Sequence, residues 1–87
     1  MDVKFIEIDG ELAVAVYRED LDSEENMLLL AKFLDFQYRD QDIYYTGEEL
    51  VEKIEDSLPV IDEENWGLVV FHIEDERLWV GDGELYL

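Results

Sequence analysis

Val3-Lys4-Phe5-Ile6-Glu7-Ile8-Asp9-Gly10-Glu11-Leu12-Ala13-Val14-Ala15-Val16-Tyr17-Arg18 is the stretch that decides the fold. Asp-Gly between two β-rich runs is the strongest short hairpin signal. Strands are therefore expected at Val3 to Ile8 and at Glu11 to Arg18. Along the second strand Leu12, Val14 and Val16 alternate with Ala13, Ala15 and Tyr17. Both faces are apolar, which suits a central strand covered on each side.

A second hairpin is expected at the other end of the chain. Trp66 to Glu74 carries Val69, Val70, Phe71 and Ile73, Asp75-Glu76 turns, and Arg77 to Val80 returns. Gly81-Asp82-Gly83 bends, and Glu84 to Leu87 is expected to add a last short strand. Between the hairpins lie two helices. Glu19 to Ser23 is polar and ends in a cap, Asp22 or Ser23, ahead of Glu24 and Glu25. The helix that follows reaches about Tyr38. Met27, Leu30, Ala31, Leu34 and Tyr38 recur at spacings of three and four and mark the core stripe. Leu29, Phe33 and Phe36 widen that stripe beyond what one sheet covers, so a second helix or a second copy of the chain is expected on the far side. Lys32, Asp35 and Arg39 form its polar strip.

Thr46-Gly47-Glu48-Glu49 fits a capping box, with Thr46 as the cap and Glu49 reaching back. A helix is expected from about Gly47 to Ser57, with Leu50, Val51, Ile54 and Leu58 inward and Pro59 ending it. Asp62-Glu63-Glu64-Asn65 then reads as an acidic loop, and Ile43-Tyr44-Tyr45 as a short strand or an aromatic loop. The whole is an α+β fold, one domain over residues 1–87 in the order β-β-α-α-β-β. Both helices lie on one face of a mostly antiparallel sheet.

The chain carries 25 acidic residues against 6 basic ones, a net charge of -19 over 87 residues. A folded protein of this size exposes roughly 5,300 Å². Self-repulsion at that density costs stability. The apolar share, 48% with 13% aromatic, argues for a folded core rather than disorder. There is no cysteine, so disulfides, thiolate metal sites and cysteine nucleophiles are out. That absence and the lack of a signal-like N-terminal run favour an intracellular, cytoplasmic protein. No apolar run is long enough to span a membrane. Direct binding to nucleic acid or anionic lipid is disfavoured by charge, and the favoured partner is a basic protein surface.

Catalysis finds no support. His72 is the single histidine and shares a strand face with Leu68 and Val70, the position of a packed residue. No phosphate loop, nucleophile elbow or metal triad is present, so no enzyme and no cofactor are expected. Asp20-Leu21-Asp22-Ser23-Glu24 and Gly81-Asp82-Gly83-Glu84 offer oxygens, but neither completes a calcium loop.

The acidic ridge is the candidate site: Glu48, Glu49, Glu52, Glu55, Asp56, Asp62, Glu63 and Glu64. Carboxylates three and four residues apart on a helix lie about 5–6 Å apart, comparable to phosphates along a strand. Tyr44 and Tyr45 are the aromatic anchors beside it, one of them expected to be exposed.

Three explanations of the charge stand together at this point. One is a decoy that blocks a nucleic-acid-binding surface. In size and charge the chain resembles phage-encoded anti-defence proteins, among them anti-restriction and anti-CRISPR proteins and glycosylase inhibitors. That resemblance implies nucleic-acid mimicry in a host cytoplasm. The second is an immunity protein that neutralises a basic nuclease toxin. The third is adaptation to brine in a structural or regulatory module. Leu29, Phe33 and Phe36 offer a homodimer seam in each case.

Overall fold

The computed structural model describes residues 1–38 and 45–87. Four strands form one antiparallel sheet in the order β1-β2-β3-β4: β1 Lys4–Ile8, β2 Glu11–Tyr17, β3 Leu68–Glu74 and β4 Arg77–Asp82. Helices α1 (Glu24–Gln37) and α2 (Gly47–Glu64) join β2 to β3. The expected order and class are therefore present. The two hairpins pair through β2 and β3, with Val14 opposite Phe71 and Tyr17 opposite Leu68. β2 is central, as its two apolar faces require.

Both hairpins turn on two residues of positive φ. Asp9 and Gly10 lie at 50° and 84°, and Asp75 and Glu76 at 51° and 64°. Paired positive φ values twist the connection to match the strands. The second turn achieves this without glycine, against the side-chain clash that normally keeps such residues out of this region.

One sheet face packs on the helices. Val14, Val16, Val69, Phe71 and Ile73 meet Met27, Leu30, Leu34, Leu50, Ile54 and Ile61 in the main core. The other face carries Ile6, Ala13, Ala15, Leu68 and Val70 as a second, smaller core. Glu84 to Leu87, expected as a strand, falls instead mostly within a 3-10 turn, Gly83–Tyr86. Asp82 caps it by accepting from the Glu84 amide at 3.0 Å. This turn contacts both β3 and β1 and so covers the second face. The small side chains there make room for it: a Cβ on Gly83 would lie 2.8 Å from Leu68 Cγ.

α1 begins at Ser23, whose hydroxyl accepts from the Asn26 amide at 3.3 Å. The polar stretch before it is also a 3-10 turn, Arg18–Asp22, with Leu21 buried. α2 carries the expected capping box: the Glu49 amide donates to Thr46 Oγ1 at 3.2 Å, and the Thr46 amide to Glu49 Oε1 at 3.4 Å.

α2 does not stop at Ser57. It runs through Pro59 to Glu64, so the expected acidic loop is the last helical turn. An internal proline costs about 3 kcal/mol. The turn beyond it offsets that cost. Ile61 becomes fully buried there, a gain of about 1.5–3 kcal/mol. Asn65 adopts a left-handed conformation at the helix end. The amides of Asn65 and Trp66 then bond back to Asp62 and Ile61 carbonyls, each at 3.2 Å, and satisfy the last turn.

Tyr38 occupies an unusual place just after α1. Recorded β2–β3 pairing ends at Val14 opposite Phe71, and continuing the register would set Leu12 opposite Ile73. The phenol stands between those two. Tyr38 Oη donates to the Leu12 carbonyl at 2.8 Å, and the Ile73 amide is close enough to favour the ionised phenol. It replaces a rung of the ladder with a side chain, and its ring meets His72 edge-on at 5.7 Å. Burial raises the phenol's pKa to about 12, with the Ile73 amide working the other way and the Glu11 charge adding to the rise.

Candidate acidic interface

On α2 the inward positions Leu50, Val51, Ile54 and Ile61 leave an opposite stripe for Glu48, Glu52, Glu55, Asp56 and Glu63, all exposed. Spacings of three and four residues stack them on one side. Glu49, also exposed, borders the stripe and holds the cap. From Glu48 to Glu63 the helix rises about 22 Å, a mean of about 4.5 Å between successive carboxylates of the six, with the widest gap, about 10 Å, between Asp56 and Glu63. Each strand of duplex DNA carries a charge about every 3.4 Å of axis. Among the described residues, none of these six carboxylates has a salt-bridge partner.

Asp62 stands apart. Arg18 clasps it with two bonds, Nε to Oδ1 at 2.6 Å and Nη2 to Oδ2 at 3.1 Å, and Arg18 Nη1 reaches Asp22 Oδ1 at 2.9 Å. The guanidinium holds the Asp62 carboxyl below the usual carboxylate range. The hydrogen bond to Asp62 in turn raises the affinity of Arg18 for its proton, against a smaller cost of burial. This clasp draws Glu19 and Asp22 to the C-terminal end of α2. There they line an open cleft with Tyr17, Arg18, Asp62, Gly67 and Glu84. Glu63 and Glu64 complete that last helical turn, which holds no basic residue.

At the other end of α2, Tyr45 is half-buried. Its hydroxyl donates to the Glu76 carbonyl at 2.6 Å, and Lys53 Nζ lies 5.6 Å from its ring centroid. Tyr45 therefore ties the start of α2 to the β3–β4 turn and sets Glu74, Asp75 and Glu76 beside the ridge. Tyr44, the other expected anchor, and the expected extra strand there lie outside the described residues.

The structure thus gathers what sequence spacing leaves apart. Glu19, Asp22 and Glu84 join one end of the ridge, and the Glu74–Glu76 turn joins the other. The signal for the first group was Arg18, the sole basic residue between Lys4 and Lys32, which needs a carboxylate partner when partly buried. No group of carboxylates and histidine among the described residues has a metal-binding arrangement. His72 is buried, with Nε2 2.9 Å from Glu11 Oε2, and sits away from the ridge on the other sheet face. No helix of the described residues is long and apolar enough to cross a membrane. Comparison with protein-family models, with curated proteins and with solved structures finds no match to this chain.

Proposed function

We propose that this chain is a small acidic inhibitor that acts in the cytoplasm by occluding a basic nucleic-acid-binding surface of another protein. One observation carries the reading: the ridge on α2 is a row of exposed carboxylates without basic partners among the described residues, at a mean spacing near that of the phosphates of a strand. Its far end works against stability. Glu63 and Glu64 sit at the negative end of the helix dipole, where each carboxylate costs about 0.3–1 kcal/mol. Local rules are broken most often where function requires it. A surface of this charge steers basic partners in and rejects acidic ones. A phage-encoded inhibitor of a nucleic-acid-dependent defence is the setting that this physics suits.

The test replaces Glu48, Glu52, Glu55 and Asp56 together by Lys and leaves the Glu49 cap intact. Proteins captured from a bacterial lysate by the immobilised wild type are identified. The inhibition of their nucleic-acid binding is then measured by mobility shift. The expected result is capture of a basic nucleic-acid-binding protein, released by salt, and at least a hundredfold loss of inhibition in the variant. A folded variant that inhibits at full strength defeats the proposal. Brine adaptation instead requires that the chain melt near room temperature in dilute buffer and fold only in multimolar KCl.

A further inference from the structure

A broad apolar surface lies on the flank of α1 away from α2. Leu29, Phe33 and Phe36 are 39%, 38% and 70% exposed, and Phe5 and Leu12 of the sheet are 54% and 45% exposed. Phe5 and Phe33 meet edge to face with centroids 6.4 Å apart, which joins sheet and helix into one patch. Taking aromatic side-chain areas at roughly 200 Å² and leucine slightly less, the five expose about 450–500 Å². A standard interface covers about 800 Å² per partner. Between about 57% and 65% of it is apolar, the higher share belonging to homodimers. The patch supplies the apolar area that one side of such an interface needs.

Charge selects the occupant. The groove at the centre of the patch is lined by Leu29, Lys32, Phe33 and Phe36, with one lysine and no carboxylate. On a chain of net charge -19, a second identical copy can approach only where carboxylates are absent. This groove is such a place. Leu29, Phe33 and Phe36 follow the i, i+4, i+7 spacing that lets one helix lie against another.

We infer that this face is the seam of a two-fold homodimer, α1 against α1 of the second copy, centred on Phe33 and flanked by Phe5. α2 packs along α1 and reaches toward β4, on the side away from Phe5. Both acidic ridges therefore stay exposed in the dimer. The inference stands independently of what the ridges bind.

The dimer carries a salt signature opposite to that of the ridge. Two copies repel, and screening shortens the range of that repulsion from about 10 Å at 0.1 M salt to about 3 Å at 1 M. Sedimentation equilibrium of the full chain from 1 to 200 µM, in 0.1 M and in 1 M KCl, is expected to show a monomer–dimer equilibrium. The dimer should be at least tenfold tighter in the higher salt. Phe33→Asp is expected to give a monomer with an unchanged circular dichroism spectrum. Should that variant unfold, Leu29→Lys on the same flank serves in its place. A wild type that stays monomeric at 200 µM in 1 M KCl overturns the inference and leaves the patch to another protein. A dimer that weakens with salt, or one that a folded patch variant leaves intact, overturns it too.

Discussion

Replacing Tyr38 by Phe tests how the sheet is held where β2 and β3 part. The ring stays, so its packing in the main core and against His72 is kept. Only the hydroxyl leaves. It takes with it the donor to the Leu12 carbonyl. Tyr38 is 1% exposed, so water does not readily replace the oxygen. A buried polar group left unpaired costs about 1–3 kcal/mol. The Leu12 carbonyl is one such group, so the expected loss is about 1–3 kcal/mol. For a domain of this size that lowers the melting temperature by about 5–20 °C, readable by thermal circular dichroism at pH 7.

The same residue makes a pH prediction with a fixed sign. The folded phenol holds its proton up to about pH 12, above its ordinary value of 10.0. A raised pKa means stability that is fully present below pH 10 and lost as pH rises toward 12. The wild type is expected to lose up to about 2 kcal/mol more than Tyr38→Phe across that interval. The difference between the two proteins should therefore shrink as the solution becomes alkaline. A fall of less than 3 °C at pH 7, or a difference that grows with alkalinity, would refute the bridging role of the phenol.

Three further predictions concern backbone fit. Gly83→Ala forces a Cβ to within 2.8 Å of Leu68 Cγ and 3.1 Å of the Leu68 carbonyl oxygen; overpacking of this kind costs about 1–3 kcal/mol, measured by urea denaturation. Gly47→Ala, at the first position of α2 with open space around it, is expected to stabilise by about 0.4–1 kcal/mol through the unfolded chain. Glu76→Gly removes a side chain from a residue at φ 64° and should raise stability by about 1 kcal/mol. A melting temperature that falls would show that the Glu76 side chain makes a contact worth more than the strain.

Local rules in the sequence determined the two hairpins, the capping box at Thr46, a cap at Asp22 or Ser23 and the core stripe of α1. Each rests on neighbours within four residues, where backbone sterics and short hydrogen bonds decide the outcome. The alternation in β2 also carried tertiary information, since a strand apolar on both faces must lie inside a sheet. The expected stop at Pro59 failed because the proline penalty is local and its compensation is not. Ile61 enters a core built from distant strands, and Arg18 meets Asp62 across 44 residues of chain. The last segment reads as a strand because Leu85, Tyr86 and Leu87 favour one, yet Asp82 and the close seat of Gly83 on Leu68 turn it into a 3-10 turn. The acidic character of the candidate interface was legible from composition alone. Its extent was not, because the Arg18 clasp and the Tyr45–Glu76 bond that add carboxylates to each end of α2 exist only after the chain has folded. Charge is a property of the sequence, whereas the electrostatic field that a partner meets depends on distances between residues, and only the tertiary structure sets those.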